Sequence, residues 1–243
     1  MDTLRTIALH RADDVDYRFA LDWQIAASGA VRAARGGGAS PEAPSPEALA
    51  LIQHRPVFTL GARADGSNVL ATPAALAARG AEVIEVDRGG DVTFHGPGQL
   101  VAYPILDLHA RGVGGVEHVR MLEQTVIDTL SAFDLAAELV RGRPGVWVNG
   151  AKVAAVGVRV QRGVSRHGLA LNVDPDLGWF DAIIPCGIAD AEVTSMARLL
   201  GAAPAFEDVV IAYRAAFEAR YGSRLIQTAG TPLTIDEPAE VLA

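Results

Sequence analysis

Two side chains that can do covalent chemistry occur once each in this sequence. Lys152 is the only lysine among 21 Lys and Arg residues, and Cys186 is the only cysteine. An ammonium can lose its proton when it is desolvated, whereas a guanidinium in a protein cannot. A lone amine and a lone thiol therefore suggest a nucleophile and the group that ionises it. The alternative is chance, because an arginine-rich composition can leave one lysine anywhere on the surface.

The surroundings of both residues favour a site. Lys152 opens a β-like run that reaches Val160, and Cys186 stands between Pro185 and Gly187. The proline fixes the backbone and the glycine leaves space around the sulfur. A free cysteine is more often a small buried hydrophobe than a nucleophile. An ammonium nearby would stabilise the thiolate and lower the pKa of the thiol.

A glycine-rich segment lies between two predicted strands. Residues 88–99, Arg-Gly-Gly-Asp-Val-Thr-Phe-His-Gly-Pro-Gly-Gln, contain four glycines and a proline. Such a loop lets the backbone approach a ligand and offers N–H donors, with Arg88 and His95 as side-chain donors. The alternative is a tight turn whose glycines only relieve strain. The segment is neither a Walker loop nor a dinucleotide-binding motif.

The six histidines show no paired ligand spacing, and with a single cysteine no metal site is predicted. His95 and His167 each precede a glycine in a segment that looks like the wall of a site. The other four are interpreted as surface or packing residues.

Composition predicts one domain over residues 1–243, because half of these residues are hydrophobic and the length suits a single core. The N-terminus lacks the basic and apolar stretches of a signal peptide, and no apolar run is long enough for a membrane span. One cysteine excludes an internal disulfide, which favours a cytoplasmic location. The net charge of −8 argues against nucleic acid as a partner.

The hydrophobic pattern predicts an α+β fold with a mixed β-sheet and flanking helices. Strands are predicted at 3–10, 49–54, 57–60, 82–86, 100–106, 146–148, 152–161 and 164–173, with a loop over 87–98. A helix is predicted from Tyr17, with Tyr17, Leu21, Gln24 and Ile25 on one face. Further helices are predicted near 73–79, over 116–133 and over 207–221, and Asn149-Gly150 predicts a hairpin turn. Residues 33–46 are predicted to be a flexible loop, because they are poor in large apolar groups.

Four motifs, in order, resemble one known family. Segments 88–103, 150–159, 167–172 and 184–187 closely resemble the octanoyltransferases of lipoate biosynthesis, also called lipoate biosynthesis protein B. Residues 16–17 and 54–61 are similar to earlier landmarks of that family. Four motifs together are far more specific than any one of them. The resemblance implies a fold like that of the biotin and lipoate protein ligase catalytic domain.

The resemblance also implies the roles of particular residues. Cys186 would carry the acyl group as a thioester, and Lys152 would lower the pKa of that thiol and then act as acid and base. The substrate-binding residues would be Arg88, Gly89, Gly90, Asp91, Val92, Thr93, Phe94, His95, Ala155, Val156, Gly157, Gly168, Leu169 and Ala170. Val153, Val156 and Leu169 could line a slot for an eight-carbon chain, while glycines admit a pantetheine arm and donate to the thioester oxygen.

The implied reaction needs no cofactor. The donor would be octanoyl-acyl-carrier protein, and the acceptors would be lysines of the lipoyl domains of 2-oxoacid dehydrogenase complexes and of the glycine cleavage H protein. Because carrier proteins are acidic, docking would need a local basic patch. The candidates are Arg141, Arg143, Arg159, Arg162 and Arg166, although such a run is as often simply solvated.

Two alternatives remain at the level of sequence. One is an ATP-dependent lipoate or biotin protein ligase on the same fold, which would need no thiol. The other is a binding module that holds an acylated carrier or a lipoyl domain without chemistry. The two single-copy reactive residues argue against both.

Overall fold

The structure, a computed structural model, describes residues 4–35, 46–184 and 192–227. The strands of this part of the chain are β1 (Arg5–Val15), β2 (Ala48–His54), β3 (Val57–Leu60), β4 (Glu82–Glu85), β5 (Val92–His95), β6 (Gln99–Ile105), β7 (Glu138–Val140), β8 (Arg143–Val148), β9 (Ala151–Gln161), β10 (Val164–Asn172) and β11 (Ser223–Gln227). The helices are α1 (Tyr17–Ala34), α2 (Pro73–Ala78), α3 (Gly115–Ser131), α4 (Met196–Leu200) and α5 (Phe206–Tyr221), with a 3₁₀ helix at Leu177–Ala182.

Eight strands form one mixed sheet in the order β11-β1-β2-β6-β10-β9-β8-β7. Strand β1 is parallel to β2 and β11, and the other neighbours are antiparallel. The predicted α+β fold with a mixed sheet and flanking helices is therefore confirmed.

Both faces of the large sheet are covered by helices. Strand β2 shows this directly, because Leu49 and Leu51 belong to the core beneath α3 and α5, whereas Ala50 and Ile52 belong to the core beneath α1. A strand buried on both faces reads as a continuous apolar run instead of an alternating one. This explains the unbroken Ala-Leu-Ala-Leu-Ile sequence of β2.

Helix α1 starts where the sequence predicted, because the Asp16 carboxylate caps it by accepting from the N–H of Phe19 at 3.0 Å. The predicted apolar face is wrong in one respect. Ile25 is 48% exposed, and Ala20 and Trp23 lie against the sheet instead.

A smaller sheet, β4-β3-β5, lies beside the large one. Its core contains Phe58, Leu76 and Phe94, and the Trp179 ring stacks on that of Phe94. Residues 87–98 were predicted to be a loop, and this is wrong for residues 92–95. These four residues pair with β3 as strand β5.

The hairpin predicted at Asn149-Gly150 is confirmed, with φ of 51° and 80° at the two turn residues. Positive φ at both positions is the requirement of a type I′ turn. The turn places Lys152 opposite Trp147 in the ladder between β8 and β9.

The loop predicted over 33–46 begins too early, because Ala33 and Ala34 belong to the last turn of α1. Residues 36–45 lie outside the described residues. Across the described ranges, none of the helices has the length and apolar character needed to cross a membrane.

Candidate active site

A cavity lies where β5 and the preceding loop meet the hairpin of β9 and β10. We call it the main cavity. It is lined by Tyr17, Arg88, Gly89, Gly90, Asp91, Val92, Thr93, His95, Tyr103, Ala155, Val156, Gly157, His167, Gly168, Leu169 and Ala170. Its accessible wall is mostly apolar, and a few polar groups converge on it, which is typical of a small-molecule site.

A second, smaller cavity is lined by Lys152. We call it the Lys152 cavity. Thr93, Ala155 and Ala170 line both cavities, so the two adjoin at these three side chains. The remaining lining residues are Gln99, Ala154, Asn172, Phe180 and Val193.

The ladder between β9 and β10 sets this arrangement. Ala155 faces Ala170, and two residues further along Gly157 faces Gly168. A side chain at Gly168 would collide with the carbonyl oxygen of Ala102, and a Cβ at Gly157 would lie 2.8 Å from the carbonyl oxygen of Gly89. The glycines therefore allow close backbone packing at this point.

Arg88 holds the glycine-rich loop in place. Its guanidinium donates to the carbonyl oxygen of Thr59 at 2.6 Å, to the Thr59 hydroxyl at 2.8 Å and to the Gly89 carbonyl at 3.1 Å. The Gly89 N–H donates to the carbonyl of Val158 at 2.9 Å. The small sheet and the long hairpin are thus tied together at the wall of the main cavity.

A chain of hydrogen bonds leads to Tyr17 at the wall of the main cavity. The Nδ1 of His54 lies 3.0 Å from the Val15 carbonyl, which can only accept, so this nitrogen carries the proton. The Nε2 then accepts from the Tyr103 hydroxyl at 2.7 Å, and Tyr103 is in turn hydrogen-bonded to Tyr17. Burial lowers the pKa of His54 to about 4 and raises the pKa of Tyr17 to about 12. All three side chains are therefore uncharged near neutral pH.

His95 joins this group, because its ring stacks on Tyr17 with centroids 6.0 Å apart. Burial, together with the nearby His54 and Arg88, lowers the pKa of His95 well below its ordinary value. The Nδ1 of His95 lies 3.3 Å from the side-chain oxygen of Gln99.

His167 has an unusual backbone and a defined tautomer. Its φ of 57° is in the left-handed region, and its N–H donates to the side-chain oxygen of Gln24 at 2.7 Å. Burial lowers the pKa of this histidine to about 4, although the hydrogen bond to Asp87 opposes the shift. The neutral ring therefore donates from Nε2 to Asp87 at 2.9 Å.

Asp87 stays ionised on the other side of this bond. Its burial would raise the pKa, but the hydrogen bond from His167 and the charge of Arg166 outweigh it, and the pKa lies below the ordinary value. Arg166 is buried in its ion pair with Asp87, whereas Arg159 is 46% exposed in its side chain and lies 3.8 Å from the same carboxylate. Arg166 is therefore unsuited to the basic docking patch predicted from sequence.

Lys152 is 4% exposed and lines the Lys152 cavity, close to the turn between β8 and β9. Its N–H donates to the carbonyl of Glu192 at 2.7 Å, and its carbonyl accepts from Thr194 at 2.9 Å. Residues 192–194 are therefore fixed against β9 at Lys152. Cys186, the predicted nucleophile, lies outside the described residues.

The structure brings together nearly all the residues that the motifs predicted as substrate-binding. Thirteen of these fourteen line the main cavity, and the exception is Phe94, which is 1% exposed and packs against Phe58 in the core of the small sheet. Val153 is buried in the main core and is not part of the lining.

Sequence reasoning missed Tyr17 and Tyr103 as wall residues, whereas His167, predicted to lie in the wall of a site, does line the main cavity. Tyr17 and Tyr103 did carry a signal, because both stand inside segments that resemble the family. Their part in the wall depends on chain segments that are distant in sequence, which no local pattern reveals. Among the described residues, no group of three or more His, Cys, Asp or Glu could hold a metal ion.

Comparison with known proteins identifies the class first. The family described as "Lipoyl protein ligase A/B catalytic domain" matches residues 30–218. The fold is similar to the crystal structure of lipoate-protein ligase A bound with ATP, with a TM-score of 0.72, 14% identity, and coverage of 95% of this chain and 91% of that one. A bi-partite lipoate protein ligase from Thermoplasma acidophilum is similar at a TM-score of 0.67 and 14% identity, over 95% and 89% of the two chains.

Two curated relatives narrow the family. An octanoyltransferase of Chloroflexus aurantiacus is 44% identical over 243 residues, which is 99% of this chain and all of that protein. A mitochondrial octanoyltransferase of Arabidopsis thaliana is 45% identical over 154 residues, which is 63% of this chain and 66% of that protein. The chain therefore belongs to the octanoyltransferase family of the lipoyl protein ligase A/B class, as its motifs predicted.

Proposed function

We propose that this protein transfers an octanoyl group from octanoyl-acyl-carrier protein to a lysine of a lipoyl domain, through a thioester on Cys186. The similarity over nearly the full chain to an octanoyltransferase carries this proposal. The physical support is that the main cavity, whose wall is mostly apolar, adjoins the Lys152 cavity. A reducing compartment such as the cytoplasm suits an enzyme that depends on a free thiol.

In the first half-reaction the Cys186 thiolate attacks the thioester carbon of the donor. A new carbon–sulfur bond forms, the bond to the pantetheine sulfur breaks, and the Lys152 ammonium protonates the leaving thiolate. The Lys152 charge also stabilises the thiolate before the attack. Lys152 ends this step as a neutral amine.

In the second half-reaction an acceptor lysine amine attacks the Cys186 thioester. The carbon–nitrogen bond forms, the carbon–sulfur bond breaks, and the neutral amine of Lys152 takes the proton that the attacking nitrogen loses. Cys186 returns to thiolate and Lys152 to ammonium, so the cycle closes without ATP or another cofactor.

Hydrogen bonds of residues on either side of Cys186 support the pairing of its thiol with the Lys152 amine. The Glu192 carbonyl, six positions after Cys186, accepts from the Lys152 N–H at 2.7 Å. Ile184, two positions before Cys186, is bound to Asn68 through its own N–H at 2.8 Å. The segment that carries the thiol therefore rejoins the described chain at Lys152.

The test is to incubate the protein with octanoyl-acyl-carrier protein, without ATP, and to measure the intact mass of the chain. We expect an octanoyl increment on wild type that disappears when a lipoyl domain is added, with the octanoyl group then on the domain. Cys186→Ser should show neither, because a serine hydroxyl is a far weaker nucleophile without a base to activate it.

Other outcomes point to the alternatives. Transfer that needs ATP and free octanoate would replace the proposal by a ligase. Stable binding of the acylated carrier without adduct or transfer would indicate a binding module. Full turnover by Cys186→Ser would exclude the route through this cysteine.

A further inference from the structure

Trp147 lies next to the only lysine of the chain. Its side chain is 0% exposed, and its partner in the ladder is Lys152 itself. The Nζ of Lys152 lies 5.1 Å from the centroid of the indole ring. An ammonium within about 6 Å of an aromatic centroid is attracted by the ring, and the attraction grows when both are desolvated.

The indole ring is held in one orientation. Its Nε1 donates to the carbonyl of Arg143 at 3.1 Å, so the polar edge of the ring is satisfied within β8. The guanidinium of Arg143 also lies near the ring, at 5.7 Å from the centroid. A leucine could fill this part of the core, but it would offer no aromatic face to these two cations.

Two carboxylates of the described residues near β8 and β9 have partners of their own. Glu123 on α3 accepts from the N–H of Gly145 at 3.1 Å and pairs with Arg120 at 2.7 Å. Glu192 pairs with Arg198 at 3.0 Å. Lys152 has further interactions of its own, and the ring of Trp147 adds to them.

We propose that Trp147 is a positioning residue, whose ring fixes the side-chain nitrogen of Lys152 and favours its protonated form. The consequence for catalysis rests on the proposed function, in which the Lys152 ammonium faces a thiolate and then protonates a leaving thiolate. The physical part of the proposal rests on the ring contact alone, so it can be tested without any acyl donor.

The composition allows a direct measurement. Because Lys152 is the only lysine, an amine-acylating reagent modifies one side-chain amine, with the N-terminal amine as internal standard. Peptide mass spectrometry then gives both rates as a function of pH. In Trp147→Leu we expect Lys152 to react several-fold faster than in wild type near neutral pH, because only the neutral amine reacts. The difference should shrink above about pH 10.4, where an ordinary lysine amine titrates, and vanish once Lys152 is neutral in both proteins.

The pH dependence separates charge stabilisation from exposure. Faster labelling that persists equally at high pH would mean that the variant merely exposes Lys152, and it would overturn the proposal. Labelling at the wild-type rate at every pH would overturn it as well. Trp147→Phe keeps a weaker aromatic face and should lie between wild type and Trp147→Leu.

Phe217→Leu is the matched control for a weakened core. Phe217 is fully buried and stacks on Tyr221 in α5, and its loss should leave the labelling of Lys152 unchanged. If Trp147→Leu does not fold, as judged by circular dichroism, Trp147→Met takes its place and the same outcomes apply. A wild type without octanoyl transfer would refute the proposed function and leave the labelling result readable.

Discussion

Three buried polar side chains at or next to the main cavity, Tyr17, His54 and His167, are uncharged. Burial lowers the pKa of His54 and His167 to about 4 and keeps Tyr17 protonated. His54 is hydrogen-bonded to Val15 and Tyr103, Tyr17 to Tyr103, and His167 to Asp87 through its Nε2. An apolar ligand next to such a wall meets rings and no net charge on these groups, which suits the hydrocarbon chain of the proposed substrate.

The substitution Lys152→Arg preserves the positive charge, so it tests whether Lys152 supplies only charge or also transfers a proton. If Lys152 supplied only positive charge, arginine would serve, because both side chains stabilise a thiolate. If it also takes the proton of the acceptor amine, arginine fails, because a guanidinium does not lose its proton near neutral pH. We expect Lys152→Arg to retain some acyl-enzyme formation, with the donor sulfur leaving as a thiolate, but to transfer octanoyl to the lipoyl domain at least 100-fold more slowly, roughly the smaller end of what a general base contributes.

The two half-reactions are measured separately, by intact mass for the adduct and by single-turnover transfer from the isolated acyl-enzyme. The thermal unfolding temperature of Lys152→Arg shows first whether the protein tolerates the larger guanidinium group at this buried position. Transfer at nearly the wild-type rate would restrict Lys152 to an electrostatic role.

At the scale of elements, the two cavities adjoin at the ladder of β9 and β10. Ala155 and Ala170 face each other there, and both line both cavities. We expect Ala155→Leu to fill part of the space where the two cavities adjoin and to slow octanoyl transfer by 10-fold or more, because the larger side chain would take up room that an eight-carbon chain needs. Donors with acyl chains of two or four carbons should lose much less.

The measurement is the ratio of transfer rates for short and eight-carbon donors in Ala155→Leu and wild type. Ala151→Leu is the control, since Ala151 lies on the same strand but outside both linings. An unchanged ratio in a folded Ala155→Leu would show that the acyl chain does not lie against Ala155.

The same hairpin carries the exposed arginines that remain candidates for carrier docking. Arg159 is 46% exposed in its side chain, and Arg162 is exposed at the turn with φ of 51°. We expect Arg159→Gln with Arg162→Gln to raise KM for the acyl-carrier protein several-fold and to flatten its salt dependence. The rate with a small octanoyl thioester should not change, and Arg224→Gln, exposed on the edge strand β11, is the charge control. An unchanged salt response would exclude this surface.

The sequence predicted the long elements and the short strands β3 and β4, but it missed other short elements, such as β5. Helix α3 and the β9–β10 hairpin have enough residues for a periodic pattern, and both are confirmed. Strand β5 has four residues between glycines, and its pairing with β3 is a long-range contact that no local pattern contains. The motifs predicted most of the cavity wall, whereas Tyr17 and Tyr103 depend on how α1 and β6 meet in the fold.

At the scale of the whole molecule, the net charge of −8 opposes an approach by an acidic carrier protein. Association would then depend on a local basic surface, such as the tip of the β9–β10 hairpin. Added salt would weaken both the repulsion by the net charge and the attraction by this surface. Salt screens the overall repulsion as well as the local attraction. The sign of the salt dependence therefore reports which of them dominates.

Buried histidines also tie the stability of the whole fold to pH. The pKa values of His54, His118 and His167 are lowered to about 4 by burial, and that of His95 lies well below its ordinary value. Unfolded histidines titrate near 6.5, so between pH 6.5 and 4 the unfolded chain binds protons that the folded chain does not. Stability is therefore fully present above pH 6.5 and falls as the pH drops towards 4. Each fully coupled histidine changes the free energy of unfolding by about 1.4 kcal/mol per pH unit.

We expect the chain to unfold in acid within this window, before its carboxylates titrate. The lowered pKa values of Asp87 and Asp107 remove stability only below their ordinary value of 3.8. Urea unfolding at several pH values gives the number of protons taken up, which should be roughly three to four near pH 5. His118→Gln, remote from the cavities, should reduce this number by about one, even if it also lowers the overall stability. A free energy of unfolding that stays constant from pH 7 to pH 5 would mean that these four histidines are protonated in the folded protein.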